Sequence, residues 1–524
     1  MNWLRGFSEW QTIQPSQGAW NWKSTDALVA DARANNIHLA ALFAFLAPWA
    51  SADGSTRKFP IKNMQYWRDY VTGVVTRYHN DIEYWEVWNE FDGSFAINGT
   101  PKIYADLVRD AYDMAKKIDP TAKIGMSVAN FDVGFLDAAI KAGAADHFDY
   151  IAVHPYEILG AVADHGEVDF LSMAGSLRLM LAANHQWTGI PLWITEIGAP
   201  APILPDAKAD LLQAEALAKA YLLSIASGFQ RIFWFEARGP AYGKGTDLGL
   251  IRADWTPRPS YEALKTIASV LGRQPRYLGW LDLDHGGYGF LFHGQGGNVL
   301  AAWSPANEQH IVKFAADVHV VALANKEAAL KAGQELTLTG TPALLTKVPA
   351  ALVEQAQGNA GEPFPWGGDY SHAEAVTCQL QATNIDDGVK QIKPQTTVPV
   401  VVDGMPSRRT DFTRPDGEGH YVYFRVDPQF APFGSSNLKI TAVVRRVEPG
   451  KAAGLNLQYE SLKGYAEAPP WYTIPADDQW HELTWKVTDA NFVGAWGYNF
   501  RLSTISSPNE LYVKEVQVRK LTSP

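Results

Sequence analysis

Up to about residue 270 the chain alternates short runs that are apolar almost throughout with longer stretches where apolar residues recur every three or four positions. The short runs are "WLRGFSEW", "IHLAALFAF", "IEYWEVWNE", "AKIGMS", "FDYIAVHPY", "PLWITEIG" and "RIFWFEARG". Runs without polar alternation suit parallel strands covered on both faces. Between them, "STDALVADARANN", "NMQYWRDYVTGVVTRYH", "TPKIYADLVRDAYDMAKKIDP" and "ADLLQAEALAKAYLLSIASG" carry the helical period. Ser24 is a candidate N-cap for the first of these, and Gly228 suits the position that ends the last. Strand and helix alternating at roughly 30–40 residues per unit is the rhythm of a (β/α)8 barrel. Seven strands are visible, not eight, and nothing before Trp3 supplies another. The pattern predicts an α/β fold, a TIM-type barrel with its first βα unit missing from this chain.

Beyond the helical stretch "RPSYEALKTIASVLG" the period shortens to two. "GYGFLFHGQGGNVLAAWSP", "HIVKFAADVHVVAL" and "GQELTLTGTPALLTKVP" read as short strands joined by Gly and Asn turns, a small antiparallel sandwich. "EQAQGNAGEPFPWGG" is polar and rich in Gly and Pro, as linkers are. After it the chain is β-rich again, which predicts a jelly roll. The expected domains are a catalytic barrel over 1–272, a small β-sandwich over 273–353, a linker over 354–368 and a jelly-roll module over 369–524.

Composition narrows the function. The 524 residues are 47% hydrophobic and 19% charged, which is globular rather than disordered. The formal net charge is −11 and no basic cluster could track a phosphate backbone, so nucleic acid is not an expected partner. One cysteine, Cys378, excludes an intrachain disulfide framework and a cysteine-based zinc site. "IHLAALFAFLAPWA" is too short to span a bilayer, so no membrane partner is expected, and "MNWLRGFSEW" has no signal-peptide pattern. Oligomeric state is not readable. The 19 Trp are a surplus that serves either core packing or pockets for amphipathic ligands.

Two of the apolar runs end on acids. "IEYWEVWNE" finishes with Asn89-Glu90, and "PLWITE" finishes with Glu196. In a parallel barrel the strand C-termini gather at one mouth. About three βα units separate these two, which places them nearly opposite each other across it. A lone glutamate at a strand end is ordinarily solvated or salt-bridged; a facing pair can divide glycosidic cleavage between an acid and a nucleophile. A carboxylate separation of about 5 Å goes with retention, and roughly 6.5–9.5 Å with inversion.

"WEVWNE" and "WITEIG" resemble the acid/base and nucleophile strand ends of the retaining glycoside hydrolases of clan A. Within that clan, residues 3–240 look most like family 39 and its bacterial polysaccharide-hydrolase relatives. "LRGFSEWQTIQPSQGAWNW" is similar to that group's second strand and loop, and "FDYIAVHPY" to its sixth strand. The resemblance implies Glu90 as acid/base and Glu196 as nucleophile. It further implies Asn89 on the sugar 2-hydroxyl, Arg5 pairing with the nucleophile, His154 and Tyr156 beside it, and Trp234 as the floor of the cleaved-bond subsite. Aligned this way, Met1 falls at the second strand, which accounts for the count of seven. A carbohydrate substrate and a secreted or periplasmic location follow from the same likeness. No cofactor or catalytic metal is expected; a structural calcium in the jelly roll is compatible with the resemblance of that region to modules of polysaccharide-degrading proteins.

Several residues carry two readings. Glu236 either binds a sugar hydroxyl or salt-bridges Arg238 or Arg5, and Glu9, Trp10 and Trp49 either line the cleft or pack. Alone, His154 would read as a core histidine. "DIEYWE" reads as a solvated face, and "EILGAVADHGEVDFLSMAGS" as an insertion able to wall one end of the cleft. In the jelly roll, Trp471, Tyr472 and Trp496 either stack on glycan or pack. The competing function is a non-catalytic glycan-binding protein on a degenerate barrel. A lyase or aldolase would need a Schiff-base lysine or a metal cluster at the strand ends, and the sequence offers neither.

Overall fold

The computed structural model describes residues 2–163, 165–239, 245–323, 327–434 and 436–521. The predicted outer limits at residues 1 and 524 lie outside them. All seven predicted strands form: β1 Trp3–Arg5, β2 His38–Phe43, β3 Tyr84–Val87, β4 Lys123–Ala129, β5 Tyr150–His154, β6 Leu192–Ile197 and β7 Arg231–Trp234. They make one parallel sheet in sequential order. This is a TIM-type barrel sheet of seven strands. Among the described residues no ladder joins β1 to β7, so a seam stays open between them.

The helices between strands follow their apolar stripes, and their ends follow local chemistry. Asn63 caps Met64–Tyr78 through the Gln65 amide, and Thr100 caps Pro101–Ile118 through the Ile103 amide. Pro at the first position costs that helix nothing, because the amide it lacks would have no partner there. Asp206 caps Ala207–Ser227 through two amides, and Gly228 ends it at φ 92°. Ser24 does not act as a cap. The helix Lys23–Ala34 begins two residues earlier than that cap would place it, with Trp22 at the cap position and no side-chain bond there. The stretch 157–176 folds as parts of two helices, Tyr156–Val162 and Glu167–Ala183.

Tilted and edge-to-face rings fill the start of the barrel. Trp193 lies 4.5 Å from Tyr150, 4.7 Å from Tyr84 and 5.6 Å from Trp3, centroid to centroid. Gly125 on β4 makes room for them: a Cβ there would sit 2.2 Å from the Tyr150 ring.

Two compact units divide the chain. The first holds 1–130, 136–174 and 184–366; the second holds 131–135, 175–183 and 367–524. In the first, a six-stranded antiparallel sheet spans Arg276–Leu283 to Ala343–Thr346, with a separate two-stranded pair, His310–Lys313 and Glu335–Leu338. Both sheets share a core. The barrel is fastened to them by Glu167, fully buried, which accepts from Lys219 Nζ at 2.8 Å and the Trp303 indole at 3.2 Å. The expected linker is partly structured. Ala350–Asn359 is a helix whose Ala356 joins that core, and Trp366 is buried against Phe290. The polar, Gly-containing composition concealed a narrow apolar stripe of Leu352, Val353 and Ala356. In the second unit an antiparallel sheet of 12 strands encloses a core that includes Phe424, Trp485 and Phe500.

Candidate active site

β3 ends at Val87, and the chain then turns sharply over the barrel mouth. Trp88 and Glu90 take φ of 69° and 50°, the left-handed region that bulky residues avoid unless their surroundings impose it. Trp88 is held by burial and by an indole bond to the Phe95 carbonyl at 3.1 Å. That turn leaves Glu90 facing His154, at the end of β5, whose Nδ1 lies 2.9 Å from Oε1. His154 is fully buried, and its Nε2 lies 3.1 Å from the Thr195 hydroxyl. It is therefore not an isolated core histidine: it ties the end of β3 to β6.

Glu196 has a different set of partners. Arg5 Nη1 donates to Oε2 at 3.1 Å, and the Tyr156 hydroxyl donates to Oε1 at 2.7 Å. Arg5 also donates to Asn89 Oδ1 at 2.8 Å and pairs with Glu86. Burial works against the Arg5 charge, but the Glu86 and Glu196 carboxylates outweigh it and raise its pKa above the usual guanidinium value. Burial, followed by the Glu196 charge, pushes the Tyr156 hydroxyl well above the phenol range, so it remains a donor.

One oxygen of Glu90, one nitrogen of His154 and one oxygen of Glu196 all lie within 4.8 Å of one another. The two carboxylates thus share one cleft, with an oxygen of each close to the other. The same trio could hold a divalent ion, but Arg5 already sets a positive charge against Glu196. Along the open seam a groove of about 1560 Å³ reaches this site, lined among others by Trp3, Arg5, Glu196, Trp234 and Glu236. Trp234 is mostly buried, and its indole donates to the Leu248 carbonyl at 3.1 Å. Thus two bonded sets meet in the cleft, Arg5 with Asn89, Glu196 and Tyr156, and Glu90 with His154, with Trp234 and Glu236 on the groove wall.

Trp10 and Trp49 join neither set. Trp10 is fully buried, stacked 4.7 Å from Tyr70, with its indole donating to Gln14 Oε1 at 2.9 Å. The short helix Trp10–Ile13 that follows β1 turns the ring inward, so packing and not the cleft takes it. Trp49 packs on Trp10 and Tyr66 and gives its indole N–H to the Gln14 carbonyl at 2.8 Å. Glu9 accepts from Gln11. In the second unit Tyr472 packs on Trp485 and bonds the Thr484 carbonyl, whereas Trp471 and Trp496 are exposed.

The sequence reading missed three participants. Glu86, within "DIEYWE", is 1% exposed and pairs with Arg5; it is no solvated face. Its signal was the period of two, since Glu86 lies on the same side of the strand as Tyr84, which points into the barrel. Thr195 is the hydroxyl under His154. Glu157, next to Tyr156, has its carboxyl pushed up to about 7 by burial, with the Glu90 charge adding to the effect. With its amide nitrogen turned toward that carboxyl, Asn130 donates to both oxygens at 2.8 and 2.9 Å.

Residues 7–128 match the model of glycosyl hydrolase family 10, a stretch that holds Glu90 but stops short of Glu196. Over 134 residues the chain is 27% identical to endo-1,4-beta-xylanase A of Fusarium oxysporum f. sp. lycopersici, covering 24% of this chain and 40% of that protein. Over 144 residues it is 27% identical to endo-1,4-beta-xylanase 1 of Gibberella zeae, covering 26% and 39%. The chain therefore spans about two fifths of the length of these relatives. A family 39 glycoside hydrolase from Bacteroides cellulosilyticus WH2 superposes with a TM-score of 0.54 at 20% identity, over 66% of this chain and 75% of that one. The sequence likeness thus covers the part of the barrel that holds Glu90, with a family 10 model, and the structural likeness shows the barrel fold, with a family 39 enzyme. No helix among the described residues is long and apolar enough to cross a membrane.

Proposed function

We propose that the chain is a retaining glycoside hydrolase that cleaves O-glycosidic bonds of a poly- or oligosaccharide by double displacement. The observation that carries this is the pair of carboxylates within 4.8 Å, each with its own partners. Glu196, receiving bonds from Arg5 and Tyr156, stays ionised and attacks the anomeric carbon. The glycosidic oxygen leaves with the proton of Glu90, and a glycosyl–Glu196 ester forms. Glu90, now a carboxylate, takes a proton from water as the water oxygen attacks the same carbon and Glu196 departs. His154 orients Glu90 throughout. Arg5 holds Asn89 by its amide oxygen, which leaves the NH2 group as the donor to the sugar 2-hydroxyl. Such a contact strengthens as the oxocarbenium-like transition state forms. Glu236 and Trp234 serve the bound sugar from the groove wall. A polysaccharide substrate places the working protein outside the cytoplasmic membrane.

The test is a panel of polysaccharides and aryl glycosides, with xylan first because the matched relatives are endo-1,4-beta-xylanases. Turnover with net retention at the anomeric centre, lost in Glu196→Ala, is the expected result. The competing reading is a barrel that binds glycan without cleaving it. Binding to a glycan with no turnover of any substrate in the panel would select that reading.

A further inference from the structure

The second compact unit holds a pocket of its own. Strands Gly454–Ser461 and Gly464–Thr473 pair in antiparallel, but their register slips: Leu455 faces Tyr472, and Leu457 faces Ala468. A single residue, Asn456, is thus set against three, Pro469, Pro470 and Trp471. Bulges of this kind re-aim side chains and interrupt pairing, and they recur beside sites. The bulge opens a pocket of about 330 Å³ lined by Asn456, Glu467, Pro469, Trp471, Ile505 and Ser506.

The pocket has unused polar capacity and an exposed aromatic wall. Asn456 Oδ1 is buried and has no hydrogen-bond partner among the described residues. The same holds for the hydroxyl of Ser503, fully buried directly across the strand from Asn456. Buried polar atoms left unpaired cost free energy. Ser503 lies behind the pocket wall, so of the two it is Asn456, in the lining, whose unpaired oxygen marks a place where a ligand could repay that cost. Trp471 is 41% exposed. Its indole lies against Gly454, where a Cβ would come within 2.6 Å of Nε1, so the ring keeps this place because that position has no side chain.

The walls are fixed before any ligand arrives. Trp485 donates to the Pro470 carbonyl at 3.0 Å, and the Gly454 amide donates to Ser507 Oγ at 3.2 Å. Gln458 donates to Glu467 at 2.8 Å and itself accepts from Arg501 Nε at 2.7 Å. Pre-set groups of this kind reduce the ordering penalty of binding.

We propose that this pocket binds one pyranose unit of a neutral polysaccharide, with its C–H face on Trp471 and its hydroxyls on Asn456 and Glu467. An indole face suits polarised C–H groups through its quadrupole. An amide oxygen and a carboxylate are acceptors, which is what a ring of hydroxyl donors needs. No Lys or Arg lines the pocket, and the whole chain is acidic, so an anionic polymer is disfavoured. The site is separate from the carboxylate pair and does not depend on its activity.

Affinity electrophoresis of the full chain tests this, with Glu196→Ala as the background so that the gel is not degraded. The probes are soluble arabinoxylan, galactomannan and mixed-linkage β-glucan, each in its own gel. Retardation is expected in at least one gel. Adding Trp471→Ala or Asn456→Ala should weaken it at least ten-fold, while Trp471→Phe keeps most of it. Lack of retardation in all three gels overturns the proposal. So does retardation that survives both alanine variants, since the cleft would then be the sole binder. Thermal melting identifies a variant that has lost its fold; if Trp471→Ala has, Asn456→Ala and Trp471→Phe decide. In the otherwise wild-type chain, Trp471→Ala should leave aryl glycoside turnover unchanged. A chain with no turnover at all would defeat the hydrolase reading while leaving the gel result intact.

Discussion

Trp3, Tyr84, Tyr150 and Trp193 stand at or near the beginnings of β1, β3, β5 and β6 and fill the barrel with closely packed rings. Arg5, Glu90, His154 and Glu196 end or follow the same four strands and are held by ion pairs and hydrogen bonds. Between Trp193 and Glu196 lie only two residues. The rings need volume and close contact, which many arrangements can supply. The carboxylates need particular donors at particular angles, because a charge without partners is expensive in such a setting. The ring end therefore secures where the strands lie, and the polar end uses that placement.

If that division is right, substitutions at the two ends should fail in different assays. Glu196→Ala should lower kcat/KM by roughly 10⁴-fold or more, equivalent to about 5 kcal/mol, with the urea midpoint nearly unchanged. A midpoint that fell with the rate would break the comparison. Trp193→Ala should show the reverse, losing about 3–5 kcal/mol of stability in urea unfolding while the folded fraction keeps most of its kcat. Glu86→Gln sits between the ends, since it removes one of the two carboxylates on Arg5. It should cost about 1.5–3 kcal/mol, visible both in unfolding and in turnover.

The last effect should appear only as pH is varied. Glu157 titrates near 7 in the fold, whereas a free glutamate titrates near 4.3. As pH rises, the unfolded chain loses this proton first. Stability should therefore fall between about pH 4.3 and about pH 7, and level off above. Glu157→Gln cannot titrate, so its melting temperature should drop less than that of the wild type from about pH 5 to about pH 8. Parallel curves for the two proteins would remove Glu157 from the buried edge of the site.

The strands were legible because a parallel strand covered on both faces has a composition that few other elements share. The acids at the ends of "WNE" and "WITE" were legible for the complementary reason: charge terminates an otherwise apolar run. Glu86 was not, because a charge within a short strand looks the same whether it faces water or a buried arginine. Trp10 kept two readings because a large ring after a strand end suits a cleft and a core equally, and only the short helix that follows decides. The helix Ala350–Asn359 escaped notice because its apolar stripe is three residues wide and surrounded by Gln, Gly and Asn. Glu157 owes its behaviour to surroundings brought together by three strands, and no local pattern encodes that.

The unjoined margin between β1 and β7 has a dynamic consequence. A cylinder hydrogen-bonded all round would protect its backbone amides to a similar depth, but among the described residues β1 and β7 meet through packing alone, Trp3 against Phe233 and Arg231, with β4 midway between these rims. Deuterium uptake should therefore be graded around the sheet, fastest along the outer strands and slowest at Gly125–Ala129, as local opening propagates inward from the rims.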